Sequence, residues 1–184
     1  GELAMDSAVN LYVAESALCS SSPRSIHKFD KNLVSLNIAA LSSAGDGPIE
    51  ELVSDGNSLY AAGSAGSDGT AQGKVFKFNS NLVAVATAIY TANGYTQARI
   101  RALALDAVGD IYVFISSESG PTHRLVKYNN ALSSILADVD VTGLVVEPFN
   151  PNLVAVNGSL FVMAQDSAKT QYILRKFDSN LIYS

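Results

Sequence analysis

The sequence predicts an all-β chain, a β-propeller of four four-stranded antiparallel blades with the last blade incomplete, and three observations predict it. One short segment recurs four times, the hydrophobic period inside each recurrence is two rather than 3.6, and the strands are apolar on both faces. The recurring segment reads SIHKFDKNLVSL at 25–36, KVFKFNSNLVAV at 74–85, RLVKYNNALSSI at 124–135 and ILRKFDSNLIYS at 173–184. Its aromatics, Phe29, Phe78, Tyr128 and Phe177, lie 49, 50 and 49 residues apart by subtraction. A second landmark, Tyr12, Tyr60, Tyr112 and Phe161, advances by 48, 52 and 49. Two landmarks moving together at about fifty residues define a tandem unit, a period found in solenoids, propellers and arrays. The repeats fall at about 1–47, 48–98, 99–148 and 149–184, within a single propeller or partial-propeller domain spanning 1–184.

The elements of a unit follow in order, clearest in the second. Strand IEELVSD leads through turn GNS to strand LYAAGS; loop AGSDGTAQG leads to strand KVFKF; turn NSN leads to strand LVAVATAIY. The turns hold residues that accept positive φ or bond back to the backbone, such as Gly56, Asn57, Asn79, Asn81, Gly109 and Gly158. In the third strand, Ile26, Val75, Leu125 and Leu174 occupy one face and Phe29, Phe78, Tyr128 and Phe177 the other. Each sheet therefore needs cover on two sides, which stacking around an axis supplies. The aromatics are expected to be wedges buried between neighbouring sheets. Lys28, Lys77, Lys127 and Lys176 recur beside them, and their stems are expected to cover apolar surface while the ammonium reaches the rim or an acidic group.

Small residues dominate the first two strands, as in LALALD and YAAGS, and the last unit stops part-way into its fourth strand. The reading favoured is an arc of a larger propeller over a ring closed at four blades. Its expected partners are further blades or a second copy of the chain, completing a ring of about eight blades.

Composition narrows the function. The 184 residues carry a net charge of −5, and the twelve Lys and Arg are dispersed, so the clustered basic footprint of a nucleic-acid binder is missing. No apolar run approaches the roughly 20 residues of a membrane span. GELAMDSAVN has no basic segment followed by an apolar one, so it does not read as a signal peptide. Charged residues make up 16%, below the roughly 25% of an average domain, which suits an extracellular or cell-surface protein. Cys19 stands alone, no Cys/His metal spacing exists and no cofactor is expected.

The segments LALDAVGDIYVF and HRLVKYNNALSSIL resemble the SBBP-type β-propeller repeat of bacteria and archaea, and the resemblance runs through all four units. It is a pattern of strands and turns with no catalytic residue. The chain departs from it at Val9, which replaces the first-turn glycine in unit one, and at Val156, which replaces the Asp in unit four. Kelch repeats have a similar period, but their glycine doublet and Trp are absent. The resemblance implies an exported binding or surface component.

In such a fold the loops between second and third strands, and between units, share the face around the axis, where function usually lives. Glu50, Arg99, Arg101 and Asn150 precede the innermost strands there, and with His123 they are the candidate ligand-binding residues, for a carbohydrate or protein ligand. A catalytic reading would need His27 or His123; His123 follows SESGPT, with Ser117, Glu118 and Ser119 close in sequence. DVDVTG at 138–143 has alternating carboxylates but lacks the ligand run of a Ca²⁺ loop. The leading expectation is a non-enzymatic binding or assembly module. The alternative is a secreted hydrolase or lyase with its active site on the loop face.

Overall fold

The computed structural model describes residues 2–15, 24–41, 46–65, 72–91, 98–117, 122–143, 151–165 and 171–184. Their strands form four antiparallel meanders. The first comprises β1 (Leu3–Met5), β2 (Leu11–Ala14), β3 (Arg24–Phe29) and β4 (Ser35–Leu41). The second comprises β5 (Asp46–Ser54), β6 (Leu59–Ala65), β7 (Gln72–Phe78) and β8 (Ala84–Tyr90). The third comprises β9 (Ala98–Leu105), β10 (Ile111–Ser117), β11 (His123–Tyr128) and β12 (Ile135–Asp140). The fourth has β13 (Asn152–Val156), β14 (Ser159–Gln165) and β15 (Tyr172–Asp178), with a lone Phe177–Tyr183 bridge where a fourth strand would pair. No helix among the described residues is long and apolar enough to cross a membrane.

Turn chemistry explains the repeat. In the first turn of three sheets an Asp carboxylate oxygen, Oδ1, gathers backbone N–H groups: Asp6 from Ala8 and Asn10, Asp55 from Asn57 and Ser58, Asp106 from Val108 and Asp110. A left-handed residue completes each turn, Gly56 and Gly109 at φ 94° and 85°, but Val9 at 63° in the first sheet. In the fourth sheet Asn157 and Gly158, φ 49° and 70°, form the two-residue hairpin that Asn-Gly signals. The third-to-fourth strand turns begin on Asp30, Asn79, Asn129 and Asp178, each accepting backbone N–H groups downstream. Three residues on, Leu33, Leu82, Leu132 and Leu181 are left-handed, with φ 55° to 64°. Leucine there costs roughly 1–2 kcal/mol. Burial of Leu82, Leu132 and Leu181, worth roughly 1.5–3 kcal/mol each, offsets that strain, whereas Leu33 is 69% exposed.

The core is three clusters, each between consecutive sheets; among the described residues none joins the fourth sheet to the first. Within each sheet the two faces have fixed directions. Phe78, Tyr128 and Phe177 pack on the preceding sheet, while Ile26, Val75 and Leu125 pack on the following one. Phe29 departs from the expected burial: it is half-buried, because among the described residues no sheet packs on that face of the first sheet. Leu174 is 65% exposed for the mirror reason, since no described sheet packs on the far face of the fourth. First strands of neighbouring sheets lie against one another, which makes them the innermost, as in a propeller.

Candidate functional site

The recurring lysines build the joints between blades. Lys28 Nζ donates to the Ser80 carbonyl at 2.7 Å, Lys77 Nζ to that of Asn130 at 3.0 Å, and Lys127 Nζ to that of Ser179 at 3.3 Å, each acceptor lying in the next sheet's third turn. On their own sheets the ammonium groups sit 5.3, 5.2 and 5.0 Å from the ring centres of Tyr12, Tyr60 and Tyr112. Those phenols donate to Oδ2 of Asp6, Asp55 and Asp106 at 2.9, 3.1 and 3.1 Å. Burial first, then Asp6, raises the Tyr12 phenol well above its usual pKa. Burial disfavours the Lys127 charge, yet Tyr112 and Asp110 outweigh it and push the amine up to about 12. The fourth sheet carries Val156 and Phe161 in place of the Asp and Tyr, and its Lys176 is exposed. In the first three sheets the repeated charges are thus inter-blade clamps.

A different polar device sits on the innermost strands. β5 and β6 shift register between Ile49 and Glu51, leaving Glu50 as the extra residue; β9 and β10 shift between Ile100 and Ala102, leaving Arg101. Bulges re-aim side chains, and these two meet: Arg101 Nη1 lies 3.8 Å from Glu50 Oε1, with about a quarter of each side chain exposed. Arg101 Nε also donates to Ser116 Oγ at 3.1 Å. Gly63 makes the first bulge possible, because a Cβ there would lie 2.0 Å from the Pro48 carbonyl oxygen. Next to Glu50, half-buried Glu51 has its carboxyl pushed up to about 7, by burial first and then by the charge of Glu2.

The remaining candidates are placed differently. Arg99 pairs across the sheet with Ser116. His123 is only 3% exposed, stacked on Phe114 at 5.7 Å between ring centres, with its backbone N–H held by Thr142 Oγ1. Asn150, Cys19, Glu118 and Ser119 lie outside the described residues. Asp138 holds Arg124 and the Tyr90 hydroxyl, and Asp140, lowered by its hydrogen bonds from Thr142, caps a turn. Among the described residues no three His, Cys, Asp or Glu side chains converge as a metal site.

Sequence reasoning missed one constellation, Glu15, Ser25 and His27 at the end of β2 and the start of β3. Ser25 Oγ donates to Glu15, while His27 Nε2 lies 2.9 Å from Ser25 Oγ and 3.2 Å from Glu15 Oε1. Hydroxyl and carboxylate thus share one imidazole nitrogen. A hydrolytic relay needs them on opposite nitrogens, so that the carboxylate orients the base that deprotonates the serine. The i, i+2 spacing of Ser25 and His27 was the available signal, but nothing in the sequence brought Glu15 to it.

No family model matches the chain, and no curated protein matches it. Among solved structures it is similar to a subtype N10 neuraminidase-like protein of A/little yellow-shouldered bat/Guatemala, with TM-score 0.66 and 13% identity, covering 100% of this chain and 56% of that one. It is also similar to an exo-β-1,3-galactanase from Phanerochaete chrysosporium bound to β-1,3-galactotriose, with TM-score 0.59, 13% identity and coverage of 100% and 48%. A DUF4623 family protein from Bacteroides eggerthii gives TM-score 0.58, 11% identity and coverage of 100% and 43%. The chain thus spans about half the length of these structures. The fold they share with it is the β-propeller, and the described residues form four of its blades, the last with three strands.

Proposed function

We propose that the chain is a non-enzymatic, extracellular or cell-surface binding and assembly module built from SBBP-type repeats, and that it binds a polyhydroxylated, saccharide-like ligand at the Glu50–Arg101 dyad. The observation that carries this is the pair of matching bulges, which aim a carboxylate and a guanidinium at each other on the innermost strands of adjacent blades. A planar guanidinium suits a carboxylate or a pair of hydroxyl oxygens, and a carboxylate accepts from hydroxyls. Lys28, Lys77 and Lys127 are engaged in joints, whereas the dyad sits on the innermost strands with about a quarter of each side chain exposed. One structural neighbour holds a galactose trisaccharide, which fits this ligand class. The enzymatic alternative has less support, since His123 is buried against Phe114 and His27 shares one nitrogen between its partners.

The test is a glycan array followed by calorimetry with neutral and acidic sugars, with the bound sugar recovered for mass analysis. A sugar recovered intact, and bound at least tenfold more weakly by Arg101→Ala, is expected. Cleavage of the sugar, or affinity unchanged in both Arg101→Ala and Glu50→Ala, would overturn the proposal.

A further inference from the structure

The two outer faces of the four-blade series are halves of one interface that the chain already builds three times. On the first sheet the face turned away from the second carries Leu3 and Leu33, both more than half exposed, with half-buried Phe29. Their counterparts in later sheets are buried against a preceding sheet: Leu52, Leu103 and Leu153 for Leu3, and Leu82, Leu132 and Leu181 for Leu33. On the fourth sheet the outer face carries Leu174 and Lys176, both exposed, where Ile26, Val75 and Leu125 are fully buried and Lys28, Lys77 and Lys127 reach a carbonyl 52 or 53 residues onward. The carbonyl equivalent to Ser80, Asn130 and Ser179 is that of Lys31, in the first sheet's own third turn.

From this complementarity we infer that a second copy of the chain covers both faces, the fourth sheet of each copy packing on the first sheet of the other about a two-fold axis. One chain holds both halves, the plugs Leu174 and Lys176 and the socket formed by Leu3, Phe29 and the Lys31 carbonyl, and two copies satisfy all of them at once. Leu33 carries the same left-handed strain as its buried equivalents, and in the assembly it gains the burial that offsets it elsewhere. The exposed apolar area is removed by the same contact. This inference rests on the reading of the chain as a binding and assembly module, but it uses surfaces other than the Glu50–Arg101 dyad.

Native mass spectrometry and light scattering on the whole chain are expected to give twice its 19.3 kDa. Leu174→Glu and Leu3→Glu each spoil one half of both contacts, so each is expected to halve the mass while the circular dichroism spectrum stays that of a folded β protein. In a mixture of isotopically light and heavy chains, an amine-reactive cross-linker is expected to join Lys176 of one copy to Lys31 of the other. A monomer at every concentration, a dimer that survives either substitution, or a Lys31–Lys176 link formed only within single chains would overturn the inference. The last result would mean that the ring closes at four blades. A monomer that still binds sugar through Arg101 would sink this inference alone, whereas a dimer without sugar binding would sink the ligand reading alone.

Discussion

The second and third sheets and the two outer sheets share the lysine, aromatic and leucine of the third strand and its turn, yet they differ in what those residues do. Phe78 and Tyr128 are buried and Phe29 is half-exposed; Leu82 and Leu132 are buried plugs and Leu33 points outward; Lys77 and Lys127 clamp a neighbouring turn and Lys176 is exposed. Strand pairing is complete in the first sheet despite this. Local sequence therefore determines each blade, while most of the side-chain burial belongs to the joint between blades. This is the nearest-neighbour energetics of a repeat protein, in which a terminal unit lacks one interface term.

The largest expected effect tests that division directly. Phe78→Ala removes a ring buried between the first and second sheets and leaves a cavity, at a cost of about 3–5 kcal/mol in urea denaturation. Phe29→Ala, at a concentration where the chain is monomeric, is expected to cost about 1 kcal/mol, in proportion to its partial burial. Equal losses at the two positions would break the comparison. A loss below about 1 kcal/mol at Phe78 would remove the aromatic wedge from the core altogether.

The leucine turns separate strain from burial. Leu82→Asn keeps the left-handed backbone at ease, since Asn accepts that conformation, but it removes a buried side chain and buries an amide, for a net loss of about 2–3 kcal/mol. At Leu33 the same substitution relieves strain and removes almost no burial, so the monomer is expected to be unchanged or more stable by up to about 1 kcal/mol. Thermal melts of the two variants decide it. Destabilisation of monomeric Leu33→Asn by more than about 1 kcal/mol would show that this turn has cover the present structure lacks.

These contrasts also mark what the sequence could disclose. The spacing of Phe29, Phe78, Tyr128 and Phe177 and the Asp or Asn after each aromatic were enough for the blades and their turns, because strand alternation and turn chemistry are local properties. The burial of Phe29 could not be read from the repeat, because the pattern does not say which face of a unit has a neighbour. The lysine acceptors were out of reach as well: a backbone carbonyl 52 residues away has no side-chain signature. At the candidate site, Glu50 and Arg101 were legible as candidates but were expected ahead of the innermost strands, whereas they lie within β5 and β9 as bulged residues, and a one-residue slip leaves the apolar run ALAL unbroken. The left-handed leucines were hidden for the opposite reason, since sequence rules assign that conformation to Gly and Asn.

The smallest expected effect compares the two middle sheets with each other. Glu51 of the second sheet and Ala102 of the third hold equivalent places, one residue before Leu52 and Leu103 on the innermost strands, but of these two sheets the second alone puts a carboxyl there, as the first does with Glu2. Burial and the neighbouring Glu2 charge disfavour its ionised form, so its pKa rises from 4.5 to about 7 on folding. A carboxyl with a raised folded-state pKa binds more protons folded than unfolded between those values. Its effect on stability is therefore most favourable on the acid side, declines as pH rises from 4.5 to about 7, and is level above. Because Glu51 is partly exposed, solvent screening keeps the total decline to about 1 kcal/mol. Glu51→Gln removes the titrating group, so subtracting its urea midpoints from those of the parent chain at each pH isolates this contribution from all other titrations. The difference is expected to turn against the parent across that window, and Glu2→Gln should make the turn shallower. A difference that is flat, or that favours the parent as pH rises, would mean that Glu51 is as well solvated as a surface carboxylate and that its place on the innermost strand carries no electrostatic cost absent from that of Ala102.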